Sequence, residues 1–126
     1  MTFTWQRRHA LLATLAVLAA LAAPGGAAQA HAILVESTPA TGGTIPPGRQ
    51  SLRLRYNSRI DHGRSRLTLT RPDKTQVVLP IDGSGADDVL ATTIDLAAGA
   101  YLLRWQVLAI DGHITRGDIP FTVTGR

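Results

Sequence analysis

Strict period-two patterning is the feature that most limits what this chain can fold into. Tyr101, Leu103, Trp105 and Val107 are large and apolar, while Arg104 and Gln106 stand between them. An extended backbone sends successive side chains to opposite faces, so this stretch predicts a strand with one buried face and one wet face. Ser51-Leu52-Arg53-Leu54-Arg55-Tyr56-Asn57 and Arg66-Leu67-Thr68-Leu69-Thr70 repeat the alternation. Beyond residue 30 no helical period of useful length competes with it, and Gly, Pro and Asp clusters break the chain at short intervals.

The punctuation divides the chain into expected strands. The first covers residues 31–37 and stops at Thr38-Pro39, after which Ile45-Pro46-Pro47-Gly48 reads as a second break. Residues 51–57 and 66–70 are expected to pair with each other across a loop at Asp61-His62-Gly63. Arg71-Pro72-Asp73-Lys74 carries turn chemistry and leads into residues 75–81, which predicts a hairpin. Strands over 89–96, 100–108 and 114–124 follow, with Ala97-Ala98-Gly99 as the turn before the second of them. About seven short strands at this spacing argue for an all-β domain, an antiparallel Greek-key β-sandwich or barrel of immunoglobulin-like type.

The first thirty residues read as something other than this domain. Arg7 and Arg8 form a basic start, residues 10–23 are Ala, Leu and Val with one Thr, and Pro24-Gly25-Gly26 ends any helix. Ala28-Gln29-Ala30 then matches a small-x-small cleavage site, so residues 1–30 are expected to be a cleaved secretory signal peptide and residues 31–126 the mature domain. The apolar run falls short of the roughly 20 residues a membrane-spanning helix needs. The mature domain is expected to be exported.

Charge and cysteine content exclude several functions. Thirteen Lys and Arg face nine Asp and Glu; Arg7 and Arg8 lie in the leader, so the excess of +4 falls to about +2 in residues 31–126. The remaining arginines alternate with apolar residues as solvated strand faces do, and few aromatic residues are available to stack bases. No nucleic-acid partner is expected. With no cysteine, a disulfide framework, a thiolate zinc site and a His₂Cys copper site are all ruled out.

The long strand runs directly into Asp111-Gly112-His113, a carboxylate and an imidazole two residues apart. In turn or extended geometry both can lean toward one point, and Gly112 lets the backbone bend between them. Cleavage after Ala30 would make His31 the first residue, offering its α-amine and its ring to one ion as a chelate. Nitrogen donors of this kind suit Cu(II). Each residue alone also has an ordinary reading: a surface turn histidine, a turn dipeptide, a residue that follows a cleavage site.

Two groups of residues resemble one family together. Gly99-Ala100-Tyr101, Trp105-Gln106-Val107, Asp111-Gly112-His113, Gly117 and Phe121-Thr122-Val123 form one group; His31-Ala32, Leu34-Val35, Ser37-Thr38-Pro39-Ala40 and Gly42 form the other. Over residues 31–126 they resemble the CopC family of periplasmic copper-binding, copper-resistance proteins. The resemblance implies a cupredoxin-like β-barrel that binds one Cu(II) ion through His31, by amine and ring, with Asp111 and His113. It also implies a possible handover to a CopD-like inner-membrane protein, and a monomer is expected.

This sequence departs from the family pattern in three places. Ala109 stands where a serine often precedes the Asp-x-His motif. Tyr56-Asn57-Ser58-Arg59 lacks the acidic residue that some members carry there, so no second carboxylate ligand is expected. The methionine-rich loop of certain members, a Cu(I) site, is absent, and Met1 is the only methionine. His62 is left without a role in the expected loop between strands.

Three functions compete. The leading one is a non-enzymatic Cu(II) carrier or sequestering protein of the cell envelope. The second is a copper redox enzyme built on the N-terminal histidine, as in polysaccharide monooxygenases; the short domain and its few aromatics speak against a polysaccharide substrate. The third is a metal-free immunoglobulin-like interaction module. A hydrolase is excluded, because no serine lies in a G-x-S-x-G elbow and Asp111 and His113 sit too close in sequence for a triad.

Overall fold

The alternating stretches become strands that bury one face each, and two sheets close over the shared apolar layer. The computed structural model describes residues 31–125, so the expected leader over residues 1–30 lies outside the described residues. The strands are β1 (Leu34–Thr38), β2 (Thr44–Ile45), β3 (Gly48–Tyr56), β4 (Arg66–Thr70), β5 (Gln76–Leu79), β6 (Val89–Leu96), β7 (Gly99–Leu108) and β8 (Ile114–Val123), with a single 3-10 turn at His62–Arg64. One sheet runs β1-β3-β6 and the other β2-β8-β7-β4-β5.

Register explains why β7 is the central strand of the larger sheet. Across β4, β7 and β8, Leu67 faces Trp105 and Trp105 faces Gly117, while Leu69 faces Leu103 and Leu103 faces Ile119. Each row therefore delivers its side chains to the same side, where they meet Leu52, Leu54 and Tyr56 of β3 and Leu90 of β6. Leu52, Leu54, Leu67, Leu69, Leu90 and Leu103 are completely buried. At roughly 1.5–3 kcal/mol for each such side chain, this layer alone can hold a domain without disulfides. The Tyr101 and Phe121 rings stack at 5.4 Å at one end of it, and Tyr56 meets Trp105 edge-on at 5.3 Å toward the other.

The expected all-β sandwich is correct, with three differences in detail. Residues 51–57 and 66–70 do not pair: β3 lies between β1 and β6 in the smaller sheet, whereas β4 pairs with β5 and β7 in the larger. The nine residues between them cross from one sheet to the other, and Ile60 fastens the crossing by an isolated bridge to Ala109 and by its N–H to the Asp87 carbonyl. Second, Thr44–Ile45 adds an eighth strand, and it pairs parallel with the end of β8, so the fold is not wholly antiparallel. Third, β1 begins at Leu34 rather than His31; the Ala32 carbonyl is taken by the Thr115 hydroxyl and Ile33 by Asn57.

The β4–β5 hairpin forms as expected through Arg71–Lys74. The Lys74 N–H donates to the Arg71 carbonyl, and Asp73 accepts from both the N–H and the hydroxyl of Thr75.

Candidate metal centre

The β7–β8 hairpin places Asp111 and His113 at its tip. Gly112 N–H donates to the Ala109 carbonyl and Ala109 N–H to the His113 carbonyl, which closes a tight turn with one residue in left-handed conformation. Gly112 takes that position at φ +88°, where a side chain would be strained. The turn directs Asp111 back onto the strand. One carboxylate oxygen accepts from the His113 N–H at 3.1 Å and the other lies 3.0 Å from His113 Nδ1. Both of the motif's functional groups are thus brought together, as their spacing suggests.

His31 arrives from the opposite sheet. β1 runs antiparallel to β3 with Leu34 opposite Tyr56, so the chain before β1 emerges beside the end of β3 and above the start of β8. There the His31 ring lies against the His113 ring, with centroids 4.8 Å apart and planes at 79°. A metal ion about 2.0 Å from one nitrogen of each imidazole would set the two centroids roughly 4–6 Å apart. The observed separation falls inside that window.

The segment holding His31 is fixed by side chains that sequence reasoning did not single out. Thr115, two residues past His113, donates its hydroxyl to the Ala32 carbonyl at 2.8 Å. Asn57 brackets Ile33: its side-chain carbonyl accepts the Ile33 N–H at 2.8 Å, and its own N–H donates to the Ile33 carbonyl at 3.0 Å. The Ala32 methyl is buried in the core. The only sequence signal for these roles was residue type, since Asn and Thr readily hydrogen-bond nearby backbone. Ser65 braces the base of the loop, accepting from the Leu108 N–H and donating to the Asp61 carbonyl.

Electrostatics favour an ionised Asp111. The hydrogen bond from the His113 N–H holds its carboxyl below the usual carboxylate range, helped by the contact with the His113 ring and by the positive charges that His113 and His31 can carry. An ionised carboxylate only accepts, so His113 Nδ1 carries a proton, and in the neutral ring Nε2 is left with the lone pair. Among the described residues, no three or more His, Cys, Asp or Glu side chains are grouped closely enough to hold a metal ion between them. The arrangement is an open one, with two imidazoles in contact and a carboxylate orienting one of them.

His62 is directed elsewhere. Its Nε2 lies 2.7 Å from the carbonyl of Val89 on β6, away from Asp111 and His113. Ala109, where a serine hydroxyl is often found, is buried and serves the turn only through its backbone. Among the described residues no helix is long and apolar enough to cross a membrane.

Comparison with known proteins bears on the family and the fold. The family model described as the CopC domain matches residues 34–124, which includes Asp111 and His113 and begins three residues after His31. Among curated relatives, protein YobA of Escherichia coli K12 is 28% identical over 98 residues, spanning 75% of this chain and 79% of its own; YobA of Shigella flexneri matches equally. Among solved structures, CopC from Methylosinus trichosporium OB3b aligns with a TM-score of 0.67 at 25% identity, covering 74% of this chain and 93% of that one. PcoC, a copper resistance protein from Escherichia coli, aligns with a TM-score of 0.62 at 18% identity over 73% of this chain and 99% of its own, which is a likeness of fold. With the family match spanning most of the β-sandwich and a solved CopC structure aligned along it, the chain belongs to the CopC family.

Proposed function

We propose that the protein binds a single Cu(II) ion as cargo in the periplasm, with His31, Asp111 and His113 as its ligands, and that it acts as a carrier or store rather than an enzyme. The contact between the His31 and His113 rings is the observation that supports this reading most directly. Those residues are 82 positions apart, and nothing in the core requires their rings to meet. In this reading cleavage after Ala30 exposes the His31 α-amine, which joins its ring in a chelate. His113 binds through Nε2, and Asp111 orients that ring while keeping further lone pairs for the ion. Nitrogen and oxygen donors without thiolate or thioether suit Cu(II) over Cu(I). Handover would be to a CopD-like membrane protein.

Aromatic placement weighs against oxidative attack on a polysaccharide. Tyr56, Tyr101, Trp105 and Phe121 are all buried, so the described residues present no aromatic platform for a glycan.

The test is a Cu(II) titration of protein that begins at His31, followed through Trp105 emission. Quenching with an endpoint near one equivalent is expected. Quenching only at large excess would overturn the reading in favour of a metal-free interaction module.

A further inference from the structure

Residues 31–33 belong to no strand ladder, yet each is fixed by a contact from a different part of the chain. His31 meets the His113 ring, Ala32 is held by its buried methyl and by the Thr115 hydroxyl, and Ile33 is bracketed by Asn57. A chain start without such contacts would sample many directions, and ordering it on binding would cost affinity. Here the ordering accompanies folding. We infer that Thr115 and Asn57 are positioning residues for the copper site: they aim the backbone of residue 31 so that its amine and ring reach an ion already held by His113. This rests on the copper reading proposed above.

Thr115 is the more informative of the two. It stands on β8 opposite Val107 and only two residues from His113, so one short piece of strand carries both a ligand and the clamp on the segment bearing the other ligand. The hydroxyl reaches Ala32 across 83 residues of sequence and joins the two sheets at the site. Thr115→Val keeps the shape of the side chain and deletes the donor. Neither residue supplies an atom to the ion. Their effect should therefore depend on whether residue 31 has an amine to aim.

That dependence gives the experiment: a cycle of four proteins, wild type and Thr115→Val, each made beginning at His31 and each with one methionine retained ahead of it. Cu(II) affinity and the electron paramagnetic resonance spectrum are read for all four. The expected result is about tenfold weaker binding by Thr115→Val in the form beginning at His31, with a spectrum shifted toward that of the extended protein, and a loss within about twofold in the extended form. Thr115→Ser, which restores the donor, should recover affinity and spectrum. Asn57→Ala should reproduce the same pattern, and it carries the test if Thr115→Val fails to fold. Equal losses in both forms, or no loss in either, would overturn the positioning role while leaving the copper reading intact. Failure of the wild-type form beginning at His31 to take up one equivalent would overturn that reading and this inference with it.

Discussion

Gly117 lies directly opposite Trp105 across the β7–β8 pair, and the indole occupies the space that a β-carbon at 117 would fill. A β-carbon placed there would lie 2.4 Å from Trp105 Cζ2, 2.6 Å from Cε2 and 2.8 Å from Nε1. The absence of a side chain at 117 is what lets the largest residue of the core lie flat against its neighbouring strand. Tyr56 then closes on the same indole edge-on from the facing sheet. One glycine thus fixes the packing at the end of the sandwich where β7 runs toward the candidate metal centre.

Gly117→Ala should therefore destabilise the domain by about 1–3 kcal/mol, the usual cost of forcing extra volume into a packed interior. Since Trp105 is the only tryptophan in residues 31–126, its emission should shift at the same time. Urea denaturation followed by fluorescence measures both. A variant with unchanged midpoint and unchanged emission would show that the strands separate at little cost.

Tyr56 offers a pH test of the same packing. Its side chain is almost fully buried, its hydroxyl has no hydrogen-bond partner among the described residues, and burial pushes its phenol far above the usual tyrosine range. With the folded-state value raised, stability is fully present below the unfolded value of ~10 and is lost as pH climbs from there toward the folded value, because the unfolded chain releases its proton first. Tyr56→Phe deletes both the ionisable group and a buried unpaired hydroxyl. It should be as stable as wild type at pH 7, or up to about 1 kcal/mol more stable. Between pH ~10 and 12 it should lose less stability than wild type does. Urea midpoints at both ends of that range decide the matter, and a clear loss at pH 7 would mean that the hydroxyl is bonded after all.

The readings that succeeded from sequence were those where a local pattern is sufficient. Alternation in residues 101–107 and 66–70 fixes which side chains turn inward, and Asp111-Gly112-His113 builds its own turn, so the carboxylate meets the imidazole without help from distant residues. Pairing partners were less legible. Nothing in the alternation of residues 51–57 says whether the following eight residues turn back or cross to a second sheet; the Ile60 bridge to Ala109 and its bond to Asp87 decide that, and both are long-range. The parallel pairing of Thr44–Ile45 is too short to leave a periodic trace. Residues 31–33 looked like strand because their apolar character fits one, but Asn57 and Thr115 take the hydrogen bonds that a ladder would have used. The expectation that His31 and His113 share a site came from resemblance; in the structure their ring centroids lie 4.8 Å apart.

His62 and His113, two histidines outside the strands, separate stability from copper binding. His62 holds the Val89 carbonyl at 2.7 Å, and since a carbonyl only accepts, Nε2 must donate the proton. His62→Ala leaves that part-buried carbonyl short of a donor and should cost about 1 kcal/mol of stability, while Cu(II) affinity stays within about twofold of wild type. His113 presents the opposite case. Its ring is exposed, with contacts to Asp111 and His31 rather than to the core. His113→Ala should therefore melt close to wild type without metal, yet bind Cu(II) at least tenfold more weakly, a loss of about 1.4 kcal/mol or more. Thermal melts of the metal-free proteins and Cu(II) titrations of both variants, each beginning at His31, measure the two effects on the same samples. If His113→Ala binds copper normally and His62→Ala does not, the site lies on the Val89 side of the fold, and the ligand role proposed for Asp111 and His113 has to be abandoned.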